Sequence, residues 1–490
     1  MLPFKTLIKI DENSTEAVFK QIGSQLVLLI QKGILMPDMQ LPSTRLLAAD
    51  LGLHRKTIMT AYKDLIIDDW IVSRERKEYR VSTRLPILKP RTYANKAKSN
   101  YKNKSSFLFD KLDHVPSLSK ITDDFKVIIN DGFPDVNIFP VERVANEYKR
   151  LLTHQTLKKA STTWNIDGSP FFKEALALFL NDTRGLNIEP ENLMVTRGAQ
   201  MAIYIAASLL IKPGDKVLVT TPSYFLADAI FNQLGAQLIT IPVDDEGADV
   251  DAIEDELTKN QIKLLYIIPH HHHPTTVTLS STRRTKLLEL IKTHQLSVIE
   301  DDYDYDFQYQ YSPYLPLASG AHDGKVIYIG SLTKTLASNF RLGYMISTPD
   351  FLESAIKLKT LIDLRGDVLM EDIIASLMQS GEFSRFIMKA NKLYGHRCNY
   401  ASNLISNELG HLVDFRKPEG GMALWLKFKD NYQLGDIIHK ARALGLQFSG
   451  KAYFKSEALK YDAIRFGFAS VNEQELEFAV DVLKKITLAK

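Results

Sequence analysis

The chain has 490 residues, too many for one ordinary hydrophobic core, so two or three domains are expected. A hydrophobic share of 45% and a charged share of 24% describe a soluble globular protein, and the absence of any bilayer-length apolar run or secretory h-region argues against membrane and exported classes. A lone cysteine, Cys398, rules out an intrachain disulfide and fits a reducing cytoplasm, while the net charge of +3 conceals a polarity: residues 1–104 hold 19 Lys+Arg against 10 Asp+Glu, and the remainder 42 against 48.

Residues 14–84 read as a helical unit. "FKQIGSQLVLLIQKG" sets Ile22, Leu26, Leu29 and Ile30 at helical spacing and stops at Gly33. In "LPSTRLLAADLG", Ser43 can cap a helix carrying Leu46, Leu47 and Leu51, ended by Gly52. "LHRKTIMTAYKDLIIDD" supplies a third helix with Ile58, Ala61, Tyr62 and Leu65 inward, and "WIVSRERKEYRVST" alternates as a short hairpin. Three helices and a hairpin with a tight turn at Gly52 make a winged helix-turn-helix over residues 1–84. Its third helix would enter the major groove by its first turn, which presents Arg55, Lys56 and Thr57. Arginine can read guanine by two bonds, whereas lysine suits phosphate. The wing would supply Arg74, Arg76 and Lys77 to the backbone or minor groove.

Residues 85–120 change character. "KPRTYANKAKSNYKNKSS" is rich in Lys, Ser and Asn and holds no acid, as expected of a basic flexible linker. From 121 to 490 the pattern becomes α/β. The runs 216–220, 237–243, 262–269, 296–302 and 325–330 alternate with helical segments, which predicts a mostly parallel sheet covered by helices. A large part is expected over about 165–365 and a small part over about 366–490.

Two strand ends in this region carry chemistry. "VIEDDYDYDF" ends on carboxylates and a Tyr, and "IYIGSLTKTLASNFRLGY" ends on a small-residue loop with Lys334, 33 residues after Asp301. Ligands of such sheets gather outside the carboxyl ends of the strands. An Asp, a Tyr, a Lys and hydroxyl-rich phosphate contacts there match the needs of pyridoxal 5′-phosphate. The lysine can form a Schiff base with its aldehyde, and the Asp can keep its ring nitrogen protonated. "PHHHHPT" (269–275) follows another apolar run. Four consecutive side chains point in different directions, so a dedicated metal site is disfavoured.

These motifs carry a resemblance. Residues 121–490 resemble a fold-type I aminotransferase and the head resembles a GntR-type winged helix; together they resemble the MocR-type bacterial transcriptional regulators. The resemblance implies that Lys334 of "SLTK" is the Schiff-base lysine, that Asp301 pairs with the ring nitrogen, and that Tyr303 meets the ring hydroxyl. Gly198, Ala199 and Gln200 of "TRGAQ" would open the phosphate-binding helix, with Ser331, Thr333 and Arg341 completing the cup and Tyr224 stacking on the ring. Arg465 of "IRFGF" would take a ligand's α-carboxylate. The loop "PHHHHPT" resembles a cofactor-lining loop in which His273 replaces an Asn; His271 and His272 are the expected cofactor-facing members. In the head, Arg45 fits a DNA-contacting position and Ser43 a cap that also reaches phosphate, whereas His54 replaces a usual Ser and the wing lacks the usual glycines.

The resemblance further implies a head-to-tail homodimer acting on double-stranded promoter DNA, with an amino compound or the cofactor itself as signal and little or no turnover. A metabolic aminotransferase acting on an α-amino acid is the alternative. Relatives that bind 4-aminobutyrate carry an arginine two residues after the stacking Tyr; here Leu226 stands there, which disfavours that ligand.

Overall fold

The computed structural model describes residues 3–74 except 12, 13 and 15, then 78–84, 104–112, 115, 125–153, 158, 162, 164–309, 314–456 and 459–488. The stretch read as a linker therefore lies largely outside the described residues, as do the wing residues Arg76 and Lys77. By contact, the chain divides into two compact units, Met1–Asp110 and Lys111–Lys490.

In the first unit, helices Val18–Gln31, Thr44–Leu51 and Arg55–Ile67 bury their apolar stripes together with the strands Gln40–Leu41, Ile71–Arg74 and Glu78–Val81. Ile22, Leu26, Leu47, Ile58, Tyr62 and Val81 form this core. The Ser43 side chain accepts from the Leu46 N–H at 3.2 Å, a cap worth about 1 kcal/mol. Gly52 closes that helix at φ 66°, a left-handed conformation that glycine adopts without steric cost. The chain then re-enters a helix at Arg55, and the Tyr62 hydroxyl donates to the Pro42 carbonyl at 2.9 Å, tying the two helices together.

The second unit is built on an eight-stranded sheet. Five parallel strands lie in the order Val326–Ser331, Ser297–Asp302, Ile262–Ile267, Lys216–Thr221 and Gln237–Asp244. The antiparallel strand Gly343–Ile346 joins Val326–Ser331 to Leu193–Thr196 at one edge, and Gly247–Ala248 closes the other. The near-continuous apolar sequence of the first four of these parallel strands follows from burial on both faces, whereas Gln237–Asp244 buries only Ile241. Val217, Val219, Leu264, Tyr266 and Ile299 pack into one layer, whereas Leu218, Leu265, Ile267 and Val298 pack into the opposite one.

A smaller antiparallel sheet, ordered Val413–Asp414, Ala423–Phe428, Asp462–Gly467 and Ala452–Tyr453, packs under helices Glu382–Leu409 and Glu473–Leu488. Residues Val127–Ile129 pair in parallel with Leu446–Phe448, so an early segment of this unit joins its late one. That pairing delivers the loop 130–133 to the carboxyl ends of the large sheet.

Candidate functional site

The strand ends assemble the pocket. Asp301 lies beside Ile329 in the neighbouring parallel strand, so the acid run and the Ser331–Lys334 loop leave the sheet side by side. Asp301 is buried; one oxygen accepts from the Tyr266 hydroxyl at 2.7 Å, while Oδ1 has no hydrogen-bond partner. Burial pushes this carboxyl up to about 7 against the Tyr266 bond, with Asp302 and Asp304 adding repulsion. A protonated ring nitrogen is the partner that such an oxygen lacks.

Lys334 points its Nζ at the Gly132 carbonyl, 2.7 Å away, and lies 3.8 Å over the Phe133 ring. Burial lowers its amine to about 8 although Asp131 pulls the other way. Residues 131–133 were not anticipated as part of the site. The turn-rich "NDGFPD" just after an apolar run was the available signal.

The phosphate end is equally specific. Gly198 caps helix Ala199–Leu210 at φ 83°, and a Cβ there would lie 2.9 Å from Arg341 Nη2. Arg341 Nη2 donates to the Arg197 carbonyl at 3.0 Å, which holds the guanidinium at the helix N-terminus, where backbone N–H groups favour an anion. Ser331 Oγ accepts from the Thr333 N–H at 3.2 Å, and the buried Thr333 hydroxyl has no partner. Tyr224 donates to Gln200 Oε1 at 3.1 Å. Unpartnered groups at Asp301 and Thr333, a helix end whose φ of 83° favours glycine, and the lowered Lys334 amine together fit pyridoxal 5′-phosphate.

The histidine run lies along the acid run because their strands are neighbours. His270 Nδ1 sits 3.5 Å from Asp302, and His271 Nδ1 2.9 Å from Asp304. His272 is bound at both ring nitrogens, to Thr220 and Thr275 at 2.8 Å each, and burial takes it down to about 3. His273 Nε2 meets Asp131 Oδ2 at 2.9 Å, and its ring lies edge-on to Tyr224 at 5.1 Å and to Tyr303 at 6.2 Å. Of the two members expected to face the cofactor, His271 meets this chain's own acid through Nδ1 and His272 its hydroxyls through both ring nitrogens, while His273 is the member whose ring lies against the tyrosines. Among the described residues no cluster of three or more His, Cys, Asp or Glu is arranged to hold a metal.

Tyr303 donates to the His271 carbonyl at 2.7 Å and accepts from Arg465 Nη2 at 2.9 Å, which leaves it a lone pair and no proton for a ring hydroxyl. Arg465, 1% exposed, is already engaged: Nε with the Asp131 carbonyl at 3.2 Å and Oδ1 at 3.4 Å, and Nη1 with the Pro274 carbonyl at 3.3 Å.

In the head, Arg45, Arg55 and Lys56 are exposed around the helix-turn-helix, with Thr57 half-buried behind them. Arg55 Nε donates to Thr44 Oγ1 at 3.4 Å, and His54 Nδ1 accepts from the Lys56 N–H at 3.2 Å, so His54 performs the capping task of the usual Ser. Arg74 is paired with Asp38 at 3.1 Å.

Comparison with known proteins agrees with both units. Residues 126–483 match the family described as aminotransferase class I and II, and residues 19–81 match the bacterial regulatory proteins of the gntR family. The chain is 25% identical to the "Probable rhizopine catabolism regulatory protein MocR" of Rhizobium meliloti, across 99% of this chain and 96% of that one. It is 28% identical to "Aromatic-amino-acid aminotransferase 1" of Thermococcus litoralis, across 75% and 89% of the two chains. Among solved structures, a Pyrococcus horikoshii kynurenine aminotransferase in complex with PMP superposes with a TM-score of 0.68 at 26% identity, covering 75% of this chain and 92% of its own. The second unit is thus a fold-type I domain with pyridoxal phosphate as the implied cofactor, and the chain belongs to the aminotransferase class I and II family, joined to a GntR-type head in the manner of the MocR-type regulators.

Proposed function

We propose that the protein is a transcriptional regulator that binds promoter DNA through residues 1–84 and senses an amino compound, or pyridoxal phosphate itself, within residues 121–490. The observation that carries this reading is the presence, on one chain, of an exposed basic first turn on the third helix of the head and a half-buried lysine whose amine meets the Gly132 carbonyl and the Phe133 ring. The reading places the protein in the cytoplasm as a head-to-tail homodimer whose two heads meet paired half-sites, with residues 85–120 as the linker.

Arg55 is the candidate for base reading, with Arg45, Lys56 and Thr57 as phosphate contacts. In the pocket, Tyr266 holds Asp301 in place, Asp301 would hold the ring nitrogen, and Gly198, Ser331, Thr333 and Arg341 the phosphate. Bound there, pyridoxal phosphate supplies an aldehyde for an amine and a ring that withdraws electrons. Lys334 presents an amine that burial keeps partly neutral, oriented by the Gly132 carbonyl. A ligand alters DNA occupancy only by its differential affinity for the two settings of the protein.

The same lowered lysine is the observation that favours a second reading, a metabolic aminotransferase, because a partly neutral amine can carry protons. The visible absorption of the purified protein, followed while amines and amino acids are added, separates the two. A lasting new band identifies a sensed compound; decay to the aminated cofactor supports turnover. A chain that takes up no cofactor overturns the assignment of Lys334.

A further inference from the structure

We propose that Asp131 is a specificity-determining residue that closes the anion-reading face of Arg465, so that the pocket accepts primary amines lacking an α-carboxylate in preference to α-amino acids. The proposal rests on the sensing reading above and adds the class of ligand to it.

An arginine that recognises a carboxylate needs a free fork of two N–H groups. In Arg465 every nitrogen already meets an acceptor, which leaves at most one N–H on each terminal nitrogen for a ligand. All three of its nitrogens face acceptors from this chain, the carbonyls of Asp131 and Pro274 and the Tyr303 hydroxyl, and Asp131 Oδ1 adds a carboxylate at 3.4 Å. The other Asp131 oxygen is held by His273 Nε2 at 2.9 Å. One internal carboxylate therefore stands between the two cationic or polar groups that a ligand carboxylate would seek.

The placement is built in from both sides of the loop. Asn130 Oδ1 accepts from the Gly132 and Phe133 N–H groups at 3.0 and 2.9 Å, and Asn130 Nδ2 donates to Ser470 Oγ at 2.6 Å. The Asn130 carbonyl accepts from Gly467, two residues beyond Arg465, and the Ile129 carbonyl accepts from Ser449. Asp131 is consequently registered against the strand that carries Arg465. A ligand carboxylate entering here would meet a like charge, which is a means of rejecting a competitor rather than of attracting a partner. A ligand with a hydrogen or hydroxyl-bearing carbon in that place would meet none.

The test is a titration of the cofactor-loaded, full-length protein, read by the visible band and by heat of binding, with pairs that differ only in the carboxylate. L-phenylalanine against 2-phenylethylamine and L-leucine against 3-methylbutylamine are suitable. In the unchanged protein the amine should act at a concentration about tenfold or more below that of its amino acid. In Asp131→Asn, and in Asp131→Ser as a second variant that removes the carboxylate, that ratio should fall at least tenfold, with retention of the visible band certifying an intact site. Equal affinities within a pair in the unchanged protein, or a ratio altered less than about threefold in both variants, would overturn the inference while leaving the sensing reading in place. Failure of the unchanged protein to take up cofactor would sink both.

Discussion

The two surfaces to which function is assigned by proposal are built on opposite terms. In the head, Arg45, Arg55 and Lys56 stand exposed on short helices whose apolar faces form the core. In the second unit, Asp301, His273 and Arg465 are buried and Tyr303 half-buried, and each makes a hydrogen bond to a distant part of the chain. A surface that must meet a polyanion keeps its cations in water until the partner replaces that water. A pocket that must discriminate small molecules has to fix its groups beforehand, and that requires burial and satisfied hydrogen bonds. Substitutions should therefore separate cleanly, with those in the head altering DNA affinity alone and those in the pocket altering cofactor, ligand and stability.

The largest effect is expected at Lys334. Lys334→Ala should abolish the visible band and the mass increment that borohydride reduction fixes on the protein; an unchanged spectrum would break the contrast at its centre. Next, Arg55→Ala should weaken specific promoter binding by about 10- to 100-fold, the range of one good base contact, measured by gel retardation at fixed salt, with the spectrum unaltered.

His272 gives a stability test. The folded chain holds it neutral, with burial taking it to about 3 from an ordinary 6.5. Below pH 6.5 the unfolded chain binds a proton that the folded chain refuses, so this contribution to stability is complete above 6.5 and is lost as the pH falls towards 3. The loss is about 1.4 kcal/mol per pH unit, and denaturant unfolding of His272→Gln should lack that one-proton slope. The smallest effect is expected at Lys56: Lys56→Ala should weaken binding evenly across DNA sequences and reduce the slope of log affinity against log salt by about one.

Much of this arrangement was legible in the sequence, and the divide is physical. Four of the five parallel strands announce themselves because strands buried on both faces must be continuously apolar. Lys334 and Asp301 announce themselves because polar residues immediately after such strands lie at the sheet's carboxyl ends. Asp131 did not. It meets His273 across 142 residues and Arg465 across 334, and no periodicity encodes a contact at that separation. The partners of the histidine run are hidden for a related reason. Adjacency indicates that the four side chains diverge but not what each meets; the backbone turns each ring to a different partner, with His271 at φ 42°.

That turning has a practical consequence at the bench. The four imidazoles of residues 270–273 are 2–6% exposed in the folded chain, so the run should not hold the native protein on immobilised nickel. Unfolding would release four contiguous histidines at once and convert the same polypeptide into a ligand for the resin. Retention on the column thus becomes a tag-free report of global opening, supplied by the cofactor domain itself.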